Sequence, residues 1–172
     1  RMVLVGKDGV VEQHHLPDSS IYGLIRFGMI APDDPRAVHT MQALRENLSC
    51  RTAVGGVARY RNDYYYQVSG DIENIPGNPW FICTLWMAES EVMMARTLAD
   101  LAPVRATLEW VRQRALRSGV LAEQVHPITG APLSVSPLTW SHATLVGLID
   151  RYLARRLELA RTDAEALNAA LV

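Results

Sequence analysis

Two segments of the chain, 35–48 and about 101–117, repeat apolar residues every three or four positions and place polar residues between them. This spacing is typical of a helix with one buried face and one face in water. We therefore predict two outer helices, the first capped by Asp34 with Pro35 at its first position and the second ending at Gly119. Their inward positions are Ala37, Val38, Met41, Leu44 and Leu48, and Val104, Leu108, Val111 and Ala115.

Two other segments lack a polar stripe. The helix predicted from Pro79 to about residue 94 is apolar on all sides, so it must be surrounded, and another begins at Ser136-Pro137, apolar early and charged late. A short helix follows the cap at Asp18 and stops near Pro32, and the tail after residue 161 predicts one or two further amphipathic turns. Buried and amphipathic helices thus alternate, which indicates two concentric helical layers.

The two longest non-helical stretches, 50–78 and 119–135, are the places to look for chemistry, since long loops are uncommon unless they serve a function. The first contains Arg59, Asp63 and three consecutive tyrosines from Tyr64 to Tyr66, and Trp80 follows it. Aromatic rings stack on sugar CH faces, while charged groups bind sugar hydroxyls. The alternative is a half-buried strand of tyrosines with an Arg59–Asp63 pair on the surface.

The second stretch places Glu123 after three apolar residues and shortly before Pro127. A general base needs a rigidly held carboxylate within reach of one water. From the residues alone, an ordinary surface glutamate is the more common interpretation.

Charge and composition exclude several classes. The chain has 172 residues, 49% of them hydrophobic, enough for one domain with a real core. Lys plus Arg number 17 against 18 for Asp plus Glu, so there is no basic field for nucleic acid. We interpret Cys50 and Cys83 as reduced core thiols, because their spacing matches no metal or redox motif.

The ends and the histidines give further expectations. We see neither a signal-peptide core nor a stretch long enough for a membrane span, so we expect a cytoplasmic protein, although a chain beginning Arg-Met looks cut from something longer. The five histidines lack metal-ligand spacing, so no metal is predicted. Met87, Met93 and Met94 are interpreted as core residues, and His142 as packing at a helix start.

Three longer motifs carry a resemblance to a known family. GGVARYRNDYYY, GNPWFICTLWMAE and LAEQVHPITGAPLSVSPLTWSHA, in this order, resemble the C-terminal portion of glycoside hydrolase family 15, the glucoamylase and glucodextranase family. The resemblance extends from about residue 18 to residue 150, with QVSGDIENIP as a departure from many relatives. It implies an all-α (α/α)6 barrel of which this chain is roughly the C-terminal half, with residues 1–17 as an irregular lead-in.

The resemblance also implies roles for individual residues. Glu123 resembles the catalytic base that deprotonates the attacking water. Trp80 is expected at the rim, its ring left open to a neighbouring glucose. The other residues implied in substrate binding are Arg59, Tyr60, Asp63, Tyr64, Tyr65, Gln124 and Trp140.

The activity implied is that of an inverting, exo-acting glycosidase releasing β-glucose from the non-reducing ends of α-glucans, without a cofactor. In the family the general acid lies in the first half of the barrel, and Glu73, Glu89 and Glu91 are poor substitutes, so we expect this chain alone to be inactive. The implied partners are an α-glucan oligosaccharide or polysaccharide, and the rest of the barrel or a second copy covering the apolar flank. The alternatives are a non-catalytic glucan-binding or regulatory protein with the same fold, and a plain helical interaction module.

Overall fold

The computed structural model describes residues 2–5, 7, 9, 11–14 and 16–170. Near the N-terminus, strand β1 (Met2–Val5) pairs antiparallel with β2 (Val11–His14), with Met2 opposite His14. This hairpin corrects the expectation that residues 1–17 form an irregular lead-in.

The first helical segment is shorter than predicted. A 3₁₀ turn (Ser19–Tyr22), capped by Asp18 through a 2.8 Å bond from the Ser20 amide, leads into α1 (Gly23–Arg26). Gly28 has φ +73°, and the amides of Gly28 and Met29 donate to the carbonyls of Ile25 and Leu24. This left-handed glycine cap ends the helix before Pro32 is reached.

Two amphipathic helices match the predicted outer layer. Helix α2 (Pro35–Leu48) begins at the Asp34 cap, and α4 (Ala102–Arg114) follows a 3₁₀ turn (Ala99–Leu101). Val38 was assigned to the inward stripe but is exposed, because it lies about 100° around the helix from Ala37. Helix α4 also ends five residues before Gly119.

Helix α3 (Phe81–Met94) is surrounded, as predicted, although it begins at Phe81 and not at Pro79. Leu85 packs in one core cluster with residues of α4 and of α5 (Thr139–Ala170), while Ile82 packs in another with residues of α1 and α2. Met87 is buried, and Met93 and Met94 pack partly buried against the second cluster, which confirms their interpretation as core residues.

Helix α5 (Thr139–Ala170) is a single helix of 32 residues. The turns predicted for the tail are helical, and they continue α5 because no helix-breaking residue follows Arg161. His142 accepts a hydrogen bond from the Leu121 amide at 3.0 Å, in agreement with its predicted packing at the helix start. Within the described residues, no helix combines the length and apolar character required to cross a membrane.

Both cysteines are buried free thiols, as predicted. Burial raises the pKa of each thiol to about 12, so neither carries reactive thiolate near neutral pH.

Gly56 provides a test of the packing between loop 49–80 and α4. Its φ is +89°, and an added Cβ would lie 2.7 Å from both Pro79 Cβ and Trp110 Cζ2. We expect Gly56→Ala to lower the free energy of unfolding by about 2–4 kcal/mol, through left-handed strain and overpacking. Urea unfolding checks this, with Gly70→Ala as the control because a Cβ at Gly70 meets nothing within 4 Å. Equal effects of the two substitutions would contradict the prediction.

Candidate functional site

Three short backbone segments lie side by side at the start of α3. Ala58 pairs with Pro79, and Trp80 pairs with Gln124, both antiparallel. The Phe81 amide donates to the Glu123 carbonyl at 3.2 Å, and the Val125 amide donates to the Pro79 carbonyl at 2.9 Å. Backbone hydrogen bonds therefore hold Glu123 against the beginning of the buried helix.

The Glu123 side chain has its own support. It is half-buried, and Ser134 Oγ donates a hydrogen bond to its Oε2. The Glu123 amide donates to the Val135 carbonyl at 2.8 Å, beside the small hairpin of β3 (Gln124–Val125) and β4 (Pro132–Leu133). Ser134 has φ +61°, a left-handed conformation that is rare outside glycine and costly unless its surroundings hold it. The carboxylate is thus oriented by Ser134 on a residue that is half-buried.

Arg59 and Asp63 form a bidentate pair. Arg59 Nε and Nη2 donate to Asp63 at 3.0 and 2.8 Å, and the Tyr65 amide donates to Asp63 Oδ1 at 3.1 Å. Asp63 is only 1% exposed. Burial is the largest single influence and acts against the charge on Arg59, but the hydrogen bonds and the charge of Asp63, together with Tyr60, outweigh it and raise the pKa of the guanidinium. Arg59 therefore has a fixed orientation and a permanent charge.

Aromatic rings surround this guanidinium. Arg59 Cζ lies 4.5 Å from the ring centroid of Trp80, 4.9 Å from that of Tyr60 and 5.6 Å from that of Tyr65. Trp80 is 4% exposed, which corrects the expectation of a ring left open at the rim. Arg59 and Tyr65 cover the indole, so the surface offered to a ligand belongs to them.

The tyrosine run forms a turn and not a strand. Tyr64 and Tyr66 are exposed, and Tyr66 has φ +56°. The alternative of a half-buried strand is therefore wrong. Its Arg59–Asp63 pair exists, but with the carboxylate buried.

A buried amide pair lies below the site. Asn78 Nδ2 donates to the Gln124 Oε1 at 2.8 Å and to the Tyr66 carbonyl at 2.7 Å. Asn78 and Gln124 are both almost fully buried. Gln124 was predicted from the sequence, whereas Asn78 and Ser134 were not. Both stand inside the quoted motifs, but nothing in their spacing distinguished them from neighbouring loop residues.

Trp140 lies in a different environment from Arg59. It is half exposed at the start of α5 and meets Trp86 edge to face at 5.6 Å between centroids. Both rings line a cavity of about 500 Å³ that also contains Glu89, which pairs with Arg26 at 3.4 Å and Arg151 at 2.5 Å. The contacts of the described residues thus gather Arg59, Tyr60, Asp63, Tyr65 and Trp80 in one cluster and place Glu123 and Gln124 beside Trp80.

The residue types of this cluster suit a neutral polar ligand with apolar faces, such as a sugar: rings, one fixed cation, one oriented carboxylate and amides. Among the described residues, no group of three or more His, Cys, Asp or Glu side chains is arranged to hold a metal ion.

Comparison with known proteins gives the family. The model of the glycosyl hydrolases family 15 matches residues 2–107. The chain is 32% identical over 136 residues to an uncharacterized glycosyl hydrolase of Methanocaldococcus jannaschii and 30% identical over 150 residues to a glucoamylase of Clostridium sp.. These alignments cover 73% and 81% of this chain but 20% of each relative.

The solved structures agree. A bacterial glucoamylase crystallised with acarbose superposes with a TM-score of 0.70 at 25% identity, over 90% of this chain and 23% of that one. The helical layers found here are part of the glucoamylase (α/α)6 barrel, which confirms the expected fold class. This chain thus spans about a fifth of the length of the glycosyl hydrolase and the glucoamylase of the sequence comparison. Because the family model matches more than half of its 172 residues, the chain belongs to the glycosyl hydrolases family 15.

Proposed function

We propose that this chain is the C-terminal portion of the catalytic domain of an inverting, exo-acting glycoside hydrolase that releases β-glucose from α-glucans. The observation that carries the proposal is the Glu123 carboxylate, oriented by Ser134 and held against the start of α3, where the Phe81 amide donates to the Glu123 carbonyl. Glu123 is the general base, and it removes a proton from the water that attacks the anomeric carbon.

The cluster around Arg59 binds the sugar. The guanidinium donates to sugar hydroxyls, with Asp63 fixing its orientation, and Tyr60, Tyr64 and Tyr65 supply ring faces. Trp80 lies behind Arg59 and positions it, while Gln124 supports the base from its buried position. Trp140, half exposed at the start of α5, offers a further ring face.

The general acid belongs to another part of the protein. An inverting glycosidase needs a second carboxyl group about 6.5–9.5 Å from the base, in its protonated form. The glutamates considered as substitutes are all engaged with arginines: Glu73 with Arg61, Glu89 with Arg26 and Arg151, and Glu91 with Arg45. Among the described residues, none of these pairs joins the Arg59 cluster or Glu123, although burial raises the pKa of Glu91 in spite of Arg45. We therefore expect the 172-residue chain alone to be inactive.

The apolar side of α5 indicates where the rest of the barrel packs. Val146, Ile149, Leu153 and Leu157 recur every three or four positions along α5 and are exposed. A stripe with this spacing fits another helix. We propose that the remaining barrel helices cover it, since these two relatives are about five times as long as the aligned part.

Sedimentation of the isolated chain should show self-association through this exposed apolar stripe, whereas the complete gene product should be monomeric. A monomeric isolated chain would contradict this prediction.

The test of the function is proton NMR of the complete gene product with maltotriose and isomaltotriose. Initial β-glucose supports the proposal, and the substrate consumed distinguishes α-1,4 from α-1,6 preference. Initial α-glucose would contradict the inverting mechanism. Saturable acarbose binding with no glucose would instead support a non-catalytic glucan-binding protein.

Ser134 gives a second test. We expect Ser134→Gly to lower kcat of the complete protein by about 2- to 10-fold, the worth of one hydrogen bond. Glycine adopts φ +61° without strain, so stability should not fall. Steady-state kinetics and urea unfolding measure the two effects.

The control for Ser134→Gly is Ser90→Ala, which removes a buried hydroxyl bonded to the Met87 carbonyl within α3. It should reduce stability and leave kcat unchanged. A kcat for Ser134→Gly equal to that of the wild type would show that the serine does not orient the base.

A further inference from the structure

One buried amide ties two parts of the site together. Asn78 has two N–H groups on Nδ2, and both are used, one on the Tyr66 carbonyl at 2.7 Å and one on Gln124 Oε1 at 2.8 Å. Tyr66 ends the exposed tyrosine turn, and Gln124 follows Glu123 directly. A single side chain therefore joins the ligand-facing turn to the segment that carries the carboxylate.

The turn needs such support. Tyr66 adopts φ +56°, a conformation that costs a bulky residue free energy and persists only where contacts impose it. At one end of the turn, Asp63 accepts from the Tyr65 amide at 3.1 Å. At the other end, the Tyr66 carbonyl is held by Asn78. Loss of the Asn78 amide would release the strained end and leave the Asp63 end attached.

The chemistry of the contact requires an amide. Asp has the same shape but no N–H when ionised, and Ser offers only one donor. Asn78 Oδ1 and Gln124 Nε2 have no hydrogen-bond partner among the described residues, although both are buried. In Asn78→Asp, a carboxylate oxygen would replace Nδ2 opposite both the Tyr66 carbonyl and Gln124 Oε1, so that oxygen faces oxygen and both hydrogen bonds are lost.

We propose that Asn78 is a positioning residue: its amide sets the tyrosine turn and the Glu123–Gln124 segment in register, so that bound sugar and base are aligned. This role rests on the proposed function and deepens it. Asn78 acts through Tyr66 and Gln124, and the alignment it maintains is that between the Arg59 cluster and the Glu123 carboxylate.

Amide hydrogen exchange of the complete gene product tests the structural link without any need for activity. In Asn78→Asp, exchange should accelerate in segments 60–70 and 121–126 together, while α2 keeps its protection. The matched control is Asn47→Asp, because Asn47 Nδ2 makes one exposed bond, to the Ala43 carbonyl of its own helix. Acceleration in one segment only, in neither, or uniformly over the chain would overturn the proposal.

Steady-state kinetics test whether loss of this alignment lowers activity. We expect kcat/KM to fall by about 10- to 100-fold in Asn78→Asp, as for a misplaced catalytic group. Asn78→Ser, which keeps one donor, should fall less and serves where Asn78→Asp does not fold. In a Tyr66→Gly background, the factor by which Asn78→Ser lowers kcat/KM should be at least threefold smaller than in the wild-type background. The reason is that glycine adopts φ +56° without support from Asn78. Equal losses in both backgrounds would overturn the link through Tyr66.

Different results would contradict the proposed function and the proposed role of Asn78. A wild-type protein that hydrolyses no glucan contradicts the proposed function, and the exchange pattern still decides whether Asn78 links the two segments. An active wild type with an unchanged exchange pattern in Asn78→Asp overturns the role of Asn78 alone.

Discussion

Glu123→Gln should lower kcat of the complete gene product on an α-glucan by about 10²- to 10⁴-fold, the usual contribution of a general base. The amide of glutamine cannot accept a proton from water at neutral pH. It can still accept the hydrogen bond from Ser134 Oγ, so the loop around residues 123–134 should keep its conformation. Acarbose affinity, measured by calorimetry, reports whether the site remains intact.

The control is Glu109→Gln. Glu109 is an exposed residue of α4 whose side chain pairs with Arg112 in the same helix. We expect this substitution to leave kcat unchanged. A Glu123→Gln protein that turns over at the wild-type rate would remove Glu123 from the mechanism, whatever its effect on affinity.

Arg59→Ala should damage both stability and ligand binding. Asp63 is 1% exposed, and loss of its bidentate partner leaves a buried carboxylate without its cation. Because the Arg59 side chain is itself 34% exposed, solvent screens part of the interaction, and we expect a loss of about 2–3 kcal/mol in the free energy of unfolding. Acarbose affinity should fall about 10- to 100-fold through the lost charge-assisted hydrogen bonds.

Arg36→Ala is a matched control for Arg59→Ala. Arg36 also uses Nε and Nη2 to bind an aspartate, Asp34, but its side chain is 77% exposed. Substitution there should leave stability and affinity unchanged, because solvent already screens the pair. Equal destabilisation by the two substitutions would show that the burial of Asp63 does not matter.

A double substitution separates the two effects of Arg59. In Arg59→Ala with Asp63→Asn the buried group is neutral and can still accept from the Tyr65 amide. Stability should recover in large part, whereas acarbose affinity should stay low. Recovery of both would mean that Arg59 acts only by neutralising Asp63.

Periodicity predicted best the helices in which each face keeps the same exposure to solvent along the whole helix. Helix α2 has one wet face, and α3 has none, so the pattern of polar residues was sufficient to place one outside and one inside. The ends of the helices were predicted less accurately. Gly28 ended α1 early through a left-handed cap, and α5 continued through a tail that carries no stop signal.

The site was predicted in parts. Resemblance implied roles for Glu123 and for residues around Arg59, and the structure brings Arg59, Tyr60, Asp63, Tyr65 and Trp80 into contact. The resemblance did not indicate that the Trp80 ring would be buried, because the exposure of a ring depends on which residues pack against it in the fold. Ser134 and Asn78 were missed since their partners lie 11 to 46 residues away in the chain.

The order of residues was enough to establish an all-α chain, its alternation of buried and amphipathic helices, its reduced cysteines and its family resemblance. These properties follow from local periodicity and from motifs that are read in one dimension. The pairing of loop 49–80 with the Glu123 segment, the burial of Asp63 and the amide link through Asn78 required the folded chain. They depend on contacts between residues far apart in sequence, which the local pattern of side chains does not specify.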